Sequence, residues 1–157
     1  MAEAGEENGE AAAPGEGLVS SSLVATGVLV GTSAAAALAP TAFGTMHAVV
    51  SGALFAVGGV AFLWAYAIGV SRSRVDVVSV PGLFFLTADT APPNVRHRLR
   101  SAVAVEVVAV VASAAVRPYS VVAFGILAPM FGIGVMGMWG ARYGSFPRRP
   151  PGVTKAD

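Results

Sequence analysis

The stretch "SAVAVEVVAVVASAAV", residues 101–116, is nearly all valine and alanine, yet it holds one carboxylic acid, Glu106. A charged side chain at the centre of a hydrocarbon layer costs ~2.5–3.5 kcal/mol or more. Desolvation therefore disfavours the carboxylate and favours the neutral acid. Such a group can exchange a proton or cation, contact a partner subunit, or hydrogen-bond a neighbouring helix. On a helical wheel Ala102, Ala109 and Ser113 share its stripe, and small residues there let another helix approach closely. Thr26, in the first apolar run, lies at a similar depth and can receive that hydrogen bond; otherwise the partner is a group on another protein. The nearest other ionisable groups are His47 and Arg117, near the outer ends of the second and third apolar runs. At 1.5 Å per residue each is ~15 Å from Glu106 along the membrane normal, too far for direct contact.

Three further features carry chemistry or contacts. "RHRLR" places Arg96, Arg98 and Arg100 just ahead of the third apolar run, where guanidinium groups can hold anionic lipid headgroups or simply anchor topology. Gly27 and Gly31 form a GxxxG pair, and Gly134, Gly137 and Ala141 form a second small-residue ridge continued by Gly144. Both suit close helix packing, within the chain or against another subunit. Pro129, one turn after Gly125, removes a backbone bond and predicts a kink. "PPN" before "RHRLR" gives a helix start with Asn94 as N-cap.

Other chemistries find no residues. There is no cysteine, and the two histidines stand 50 positions apart, so no metal site and no cofactor are expected. No phosphate-binding glycine loop, dinucleotide fingerprint, HExxH or Ser-His-Asp set occurs, and the net charge of +1 points to no nucleic-acid partner.

The elements that must position these residues follow from hydropathy. Of 157 residues 55% are hydrophobic and 12% charged, half the charge a soluble domain carries. Four apolar runs, 18–39, 46–70, 99–116 and 119–141, each approach the ~20 residues that span a bilayer as helix. They do not alternate in polarity, which excludes a β-barrel. "PTAFGT" (40–45) and "RP" (117–118) are short connections, so the fold class is all-α: a four-transmembrane-helix bundle made of two antiparallel hairpins, with a longer charged loop at 71–98. Nine of the ten basic residues fall in that loop or at the C-terminal end, and only Arg117 falls on the other side. By the positive-inside rule the loop and both termini are cytoplasmic. Residues 1–17, with five glutamates, read as a disordered acidic tail, and 144–157 as a basic, proline-rich tail flanking the 18–143 membrane domain. "ALAPTA" loosely resembles a signal-cleavage site, but no basic stretch precedes it, so the first span is expected to be retained. Trp64, Tyr66, Trp139, Tyr143 and Tyr119 fall at aromatic-belt positions. "VPGLFFL" (80–86) is too short to span and either dips Phe84 and Phe85 into the interface or tucks under the bundle.

"RPYSVVAFGILAPMFGIGVMGMWGARYGSFPRR" (117–149) resembles the end of small, uncharacterised four-helix integral membrane proteins of actinobacteria, a resemblance covering roughly residues 95–149. That family has no assigned chemistry, so it implies a bacterial plasma-membrane setting and no residue roles. The expected function is a non-enzymatic accessory or assembly subunit of a larger membrane complex, respiratory or cell-envelope. Its partners are the bilayer, other membrane subunits or further copies of itself. On this reading Glu106, Gly134, Gly137, Gly27 and Gly31 are the contact residues. The alternatives are a small oligomeric proton-linked transporter using Glu106, and an enzyme or binding protein for a lipid-linked substrate at the cytoplasmic face.

Overall fold

The computed structural model describes residues 14–87 and 89–150. It is an all-α bundle: α1 (Glu16–Leu38), α2 (Pro40–Arg72), a short α3 (Val80–Phe85), α4 (Pro93–Val116), a 3₁₀ segment (Val121–Leu127) and α5 (Met130–Tyr143). Four helical stretches, counting the 3₁₀ segment with α5, are long and apolar enough to cross a membrane. Their outward faces agree, with Val24, Val57, Val60, Leu63, Val108 and Phe124 all exposed. An apolar surface that large belongs in lipid, and the chain reads as a multi-pass membrane protein.

Several boundaries differ from the sequence expectations. α1 begins at Glu16, inside the segment assigned to the acidic tail; residues 1–13 lie outside the described residues. "PTAFGT" is helical: Pro40 sits at the first position of α2, where its missing N–H costs nothing, and Ala39 alone separates α1 from α2. α4 likewise starts at Pro93 with Pro92 at its N-cap, so Asn94 is inside the helix and does not cap it.

The fourth span is broken. Pro129 has no N–H to offer the Gly125 carbonyl, and the Ala128 amide takes that carbonyl instead at 2.9 Å, in 3₁₀ spacing. The Ser120 hydroxyl accepts from the Val122 amide at 3.3 Å and starts this tighter coil. α5 then begins at Met130 and is 14 residues long. That is ~21 Å, short of the ~30 Å of a hydrocarbon core, so the N-terminus of α5 falls within the length of the span and not at its end. The expected kink at Gly125–Pro129 is thus a change of helix type.

α5 is the hub. It packs on α1, α2, α3 and α4, and eight of its residues are buried. Against α2 the two backbones touch: a Cβ on Gly58 would collide with the backbone of Met130 and Phe131, and one on Gly134 with the Gly58 carbonyl. The α2 face that allows this is a stripe of Gly44, His47, Ser51, Gly58, Ala65 and Gly69. α1 pairs with α4, and their partners advance together from Glu16–Arg98 to Thr26–Glu106.

At the end bearing α3, Phe84 tucks under the bundle and stacks on Phe62 with ring centroids 4.2 Å apart, while Phe85 stays exposed. Trp139 is 2% exposed and sits in the core with Val19, Leu99 and Met136, so it is no belt residue. Arg72 gathers the chain ends. Its Nη1 donates to the Ala141 carbonyl (2.9 Å) and its Nη2 to the Gly144 carbonyl (3.1 Å) and to Asp76 (3.2 Å). Its guanidinium also lies 5.0 Å from the Phe146 ring centroid. The Val77 amide donates to Pro147 and the Arg149 amide to Val75, each at 2.8 Å. Residues 144–149 of the expected basic tail are therefore docked against the loop after α2; residues 151–157 lie outside the described residues.

Candidate functional site

Glu106 is 1% exposed and points into the bundle. As a direct contact for another subunit it is therefore corrected: it has no outward surface to offer. Of the two partners the sequence left open, Thr26 is the one in contact. Thr26 Oγ1 lies 2.8 Å from Glu106 Oε1 and 2.9 Å from the Ser22 carbonyl oxygen. A hydroxyl carries one proton and a carbonyl oxygen only accepts. The Thr26 proton can be shared between the two oxygens; with the carboxyl as a neutral acid, its O–H can instead donate to Thr26 while Thr26 donates to Ser22. The other carboxyl oxygen faces the start of α5. The Gly132 amide, in the first turn of that helix, is directed at the carboxyl. It falls short of full hydrogen-bond geometry, and Oε2 has no other partner. A Cβ at 132 would collide with Val103 and lie 2.7 Å from Oε2, so only glycine admits the carboxyl here.

A second buried polar pair lies about one to two turns away. His47 Nδ1 is 3.3 Å from Thr32 Oγ1. The Thr32 proton already reaches the Val28 carbonyl at 2.9 Å. His47 and Thr32 share one hydrogen bond here, its direction set by the histidine tautomer. The Val122 backbone approaches the ring, but not squarely enough to bond Nε2, which is left without a partner. Gly125 makes room, since its Cβ would sit 2.5 Å from Nε2 and 3.6 Å from Val110 Cγ1. His47 Nε2 thus lies near Val110, four residues past Glu106, and its partner Thr32 stands six residues past Thr26, a separation of ~6–9 Å along the axis. The ~15 Å expected from sequence is corrected. The expectation began the second span at Met46, whereas α2 begins at Pro40 and carries His47 two turns inward. His47 and Glu106 still do not touch.

The remaining expected site residues divide by face. Ser113 is buried, but its hydroxyl donates to Val110 of its own helix at 3.0 Å. Gly134, Gly137 and Ala141 face inward, Gly134 against α2 and Gly137 against Phe84 and Ala65, so this ridge serves helix packing within the chain and not a contact to another subunit. Gly27 and Gly31 face outward with open space beyond them. The arginine triplet splits. Arg98 pairs with Glu16 at 3.0 Å, while Arg96 and Arg100 line a cleft on another side of α4. Sequence reasoning missed Gly132, Gly125 and Arg72. Only the buried stripe on α2 offered a signal for His47, through the spacing of Gly44, His47, Ser51 and Gly58.

No family model, curated protein or solved structure matches the chain.

Proposed function

We propose that the chain is a non-enzymatic accessory or assembly subunit of a larger complex in a bacterial plasma membrane, with the α3 end and both termini cytoplasmic. The observation that carries this reading is the tightness of the interior around Glu106. The carboxyl binds α1 to α4 through Thr26 and faces the first turn of α5, and no Cβ fits at residue 132 beside it. A substrate or ion path needs room that this clasp does not leave. With Glu106, Gly134 and Gly137 turned inward, the outward surface left for a partner is the face of α1 holding Gly27 and Gly31, together with the cytoplasmic clamp around Arg72. The nine-to-one distribution of basic residues supports the orientation. The test is purification in mild detergent followed by mass spectrometry. A stoichiometric membrane-protein partner is expected, and recovery of the chain alone or only as a homo-oligomer overturns the reading. A reporter fused after Asp157 should read cytoplasmic.

One observation favours a second reading, a proton-linked oligomeric transporter. Glu106 Oε2 and His47 Nε2 are both buried without hydrogen-bond partners, about one to two helical turns apart. On that reading Glu106→Gln abolishes pH-dependent flux in proteoliposomes; unchanged flux removes it.

A further inference from the structure

The groove along the outward side of α4 has two chemically different halves. At the α3 end, Pro93, Arg96, His97, Arg100, Ser101 and Ala104 line a cleft of about 640 Å³. Among the described residues its lining carries two arginines and a histidine, and Arg96 also borders a second cleft that Asp89 lines. Arg96 and Arg100 are four residues apart, on one face, whereas Arg98 turns to α1 and Glu16. Below this cleft, Ala104 opens into an apolar groove of about 390 Å³ that it lines with Val30, Val105, Val108 and Ala109. Val30 and Ala109 also line the next stretch, between α1 and α4, of about 280 Å³. The basic cleft and the apolar stretches thus follow one another along the helix surface, adjoining at Ala104 and at Val30 and Ala109. From Arg100 to Ala109 they run nine residues, ~13.5 Å, close to the ~15 Å depth of one leaflet.

We propose that this groove seats one anionic phospholipid of the inner leaflet, its phosphate on Arg100 beside His97 and one acyl chain along Ala104, Val108 and Val30. Guanidinium groups match a phosphate diester bidentately, and the apolar length matches a chain that hangs from it. Charge complementarity selects an anionic over a zwitterionic lipid. The site rests on the cytoplasmic placement of the α3 end proposed above, which the Asp157 reporter tests separately.

The experiment is native mass spectrometry of the full chain released from micelles doped with phosphatidylglycerol or phosphatidylcholine. One phosphatidylglycerol per chain should survive, and phosphatidylcholine should not. Arg100→Gln should weaken retention at least about fivefold, and Arg98→Gln, which breaks only the Glu16 pair, should leave it unchanged. Ala104→Phe, which plugs the junction, should abolish retention of long-chain phosphatidylglycerol while sparing a dihexanoyl form. Thermal melts of each variant separate loss of lipid from loss of fold. Equal retention of both lipids, equal effects of Arg98→Gln and Arg100→Gln, or full long-chain retention by a folded Ala104→Phe would each overturn the proposal.

Discussion

The Thr26–Glu106 clasp makes a quantitative prediction. With the carboxyl neutral, its O–H donates across from α4 to α1 while Thr26 donates to Ser22, over contacts of 2.8 and 2.9 Å. Thr26→Val removes the hydroxyl at constant shape and strands a buried acidic O–H, which costs about 1–3 kcal/mol. Glu106→Leu leaves Thr26 satisfied by Ser22 but turns the Gly132 amide toward apolar carbon, for a similar cost. Glu106→Gln keeps the pattern: its amide N–H donates to Thr26 and its oxygen faces Gly132, so the loss stays below about 1 kcal/mol. In a double-mutant cycle, Thr26→Val with Glu106→Leu should show coupling of about 0.6–2 kcal/mol, the range of interhelical hydrogen bonds in membranes. The assay is reversible unfolding in mixed micelles with added dodecyl sulfate, followed by helical circular dichroism. Coupling near zero, or Glu106→Gln as damaging as Glu106→Leu, would refute the clasp.

Three other perturbations test the frame around it. Arg72→Ala removes two bonds to the α5 end, the Asp76 pair and the Phe146 contact, and should cost about 2–4 kcal/mol in the same unfolding assay; Arg72→Lys should restore less than half, because an ammonium cannot span both carbonyls. Gly58→Ala drives a methyl into the α5 backbone and should lower stability by at least about 1–3 kcal/mol, read as a lower midpoint of unfolding. Gly27→Ala and Gly31→Ala meet nothing within 4 Å and should leave the midpoint unchanged or slightly raised. If α1 is the docking face, Gly31→Leu should nevertheless release the co-purifying partner.

What the sequence made legible follows the physics of each signal. Spans announce themselves because hydropathy is local and additive along the chain, and four of them were readable down to Pro129 and its break. The Thr26–Glu106 pair was also readable, since depth can be counted from the ends of two runs that advance together. Helix ends were less so: Ala39, Pro40 and Pro93 show that a proline read as a breaker can equally begin a helix. Facing direction was the main loss. Gly134 and Gly27 carry the same small-residue signature, and only the α2–α5 contact distinguishes the buried one from the open one. Arg72 looked like one more topological charge because its acceptors, the carbonyls of Ala141 and Gly144, lie about seventy residues on.

Glu106 and Pro129 looked like separate oddities in the sequence, a stray acid and a kink, and in the bundle they are two halves of one arrangement. A helix that starts within the span exposes first-turn amides where no water can satisfy them. Phe131 and Ile133 find the carbonyls of Ala128 and Pro129, and Gly132 is left facing α4. An acceptor there must come from a side chain, must be buried, and must itself be held. Glu106 turns Oε2 toward that amide, short of a full hydrogen bond, while Thr26, with the Ser22 carbonyl behind it, holds the other carboxyl oxygen. Restoring a continuous fourth helix should therefore remove the need for the acid. Pro129→Ala alone is expected to lower the cost of Glu106→Leu, so the two changes couple although Pro129 makes no hydrogen bond to the carboxyl.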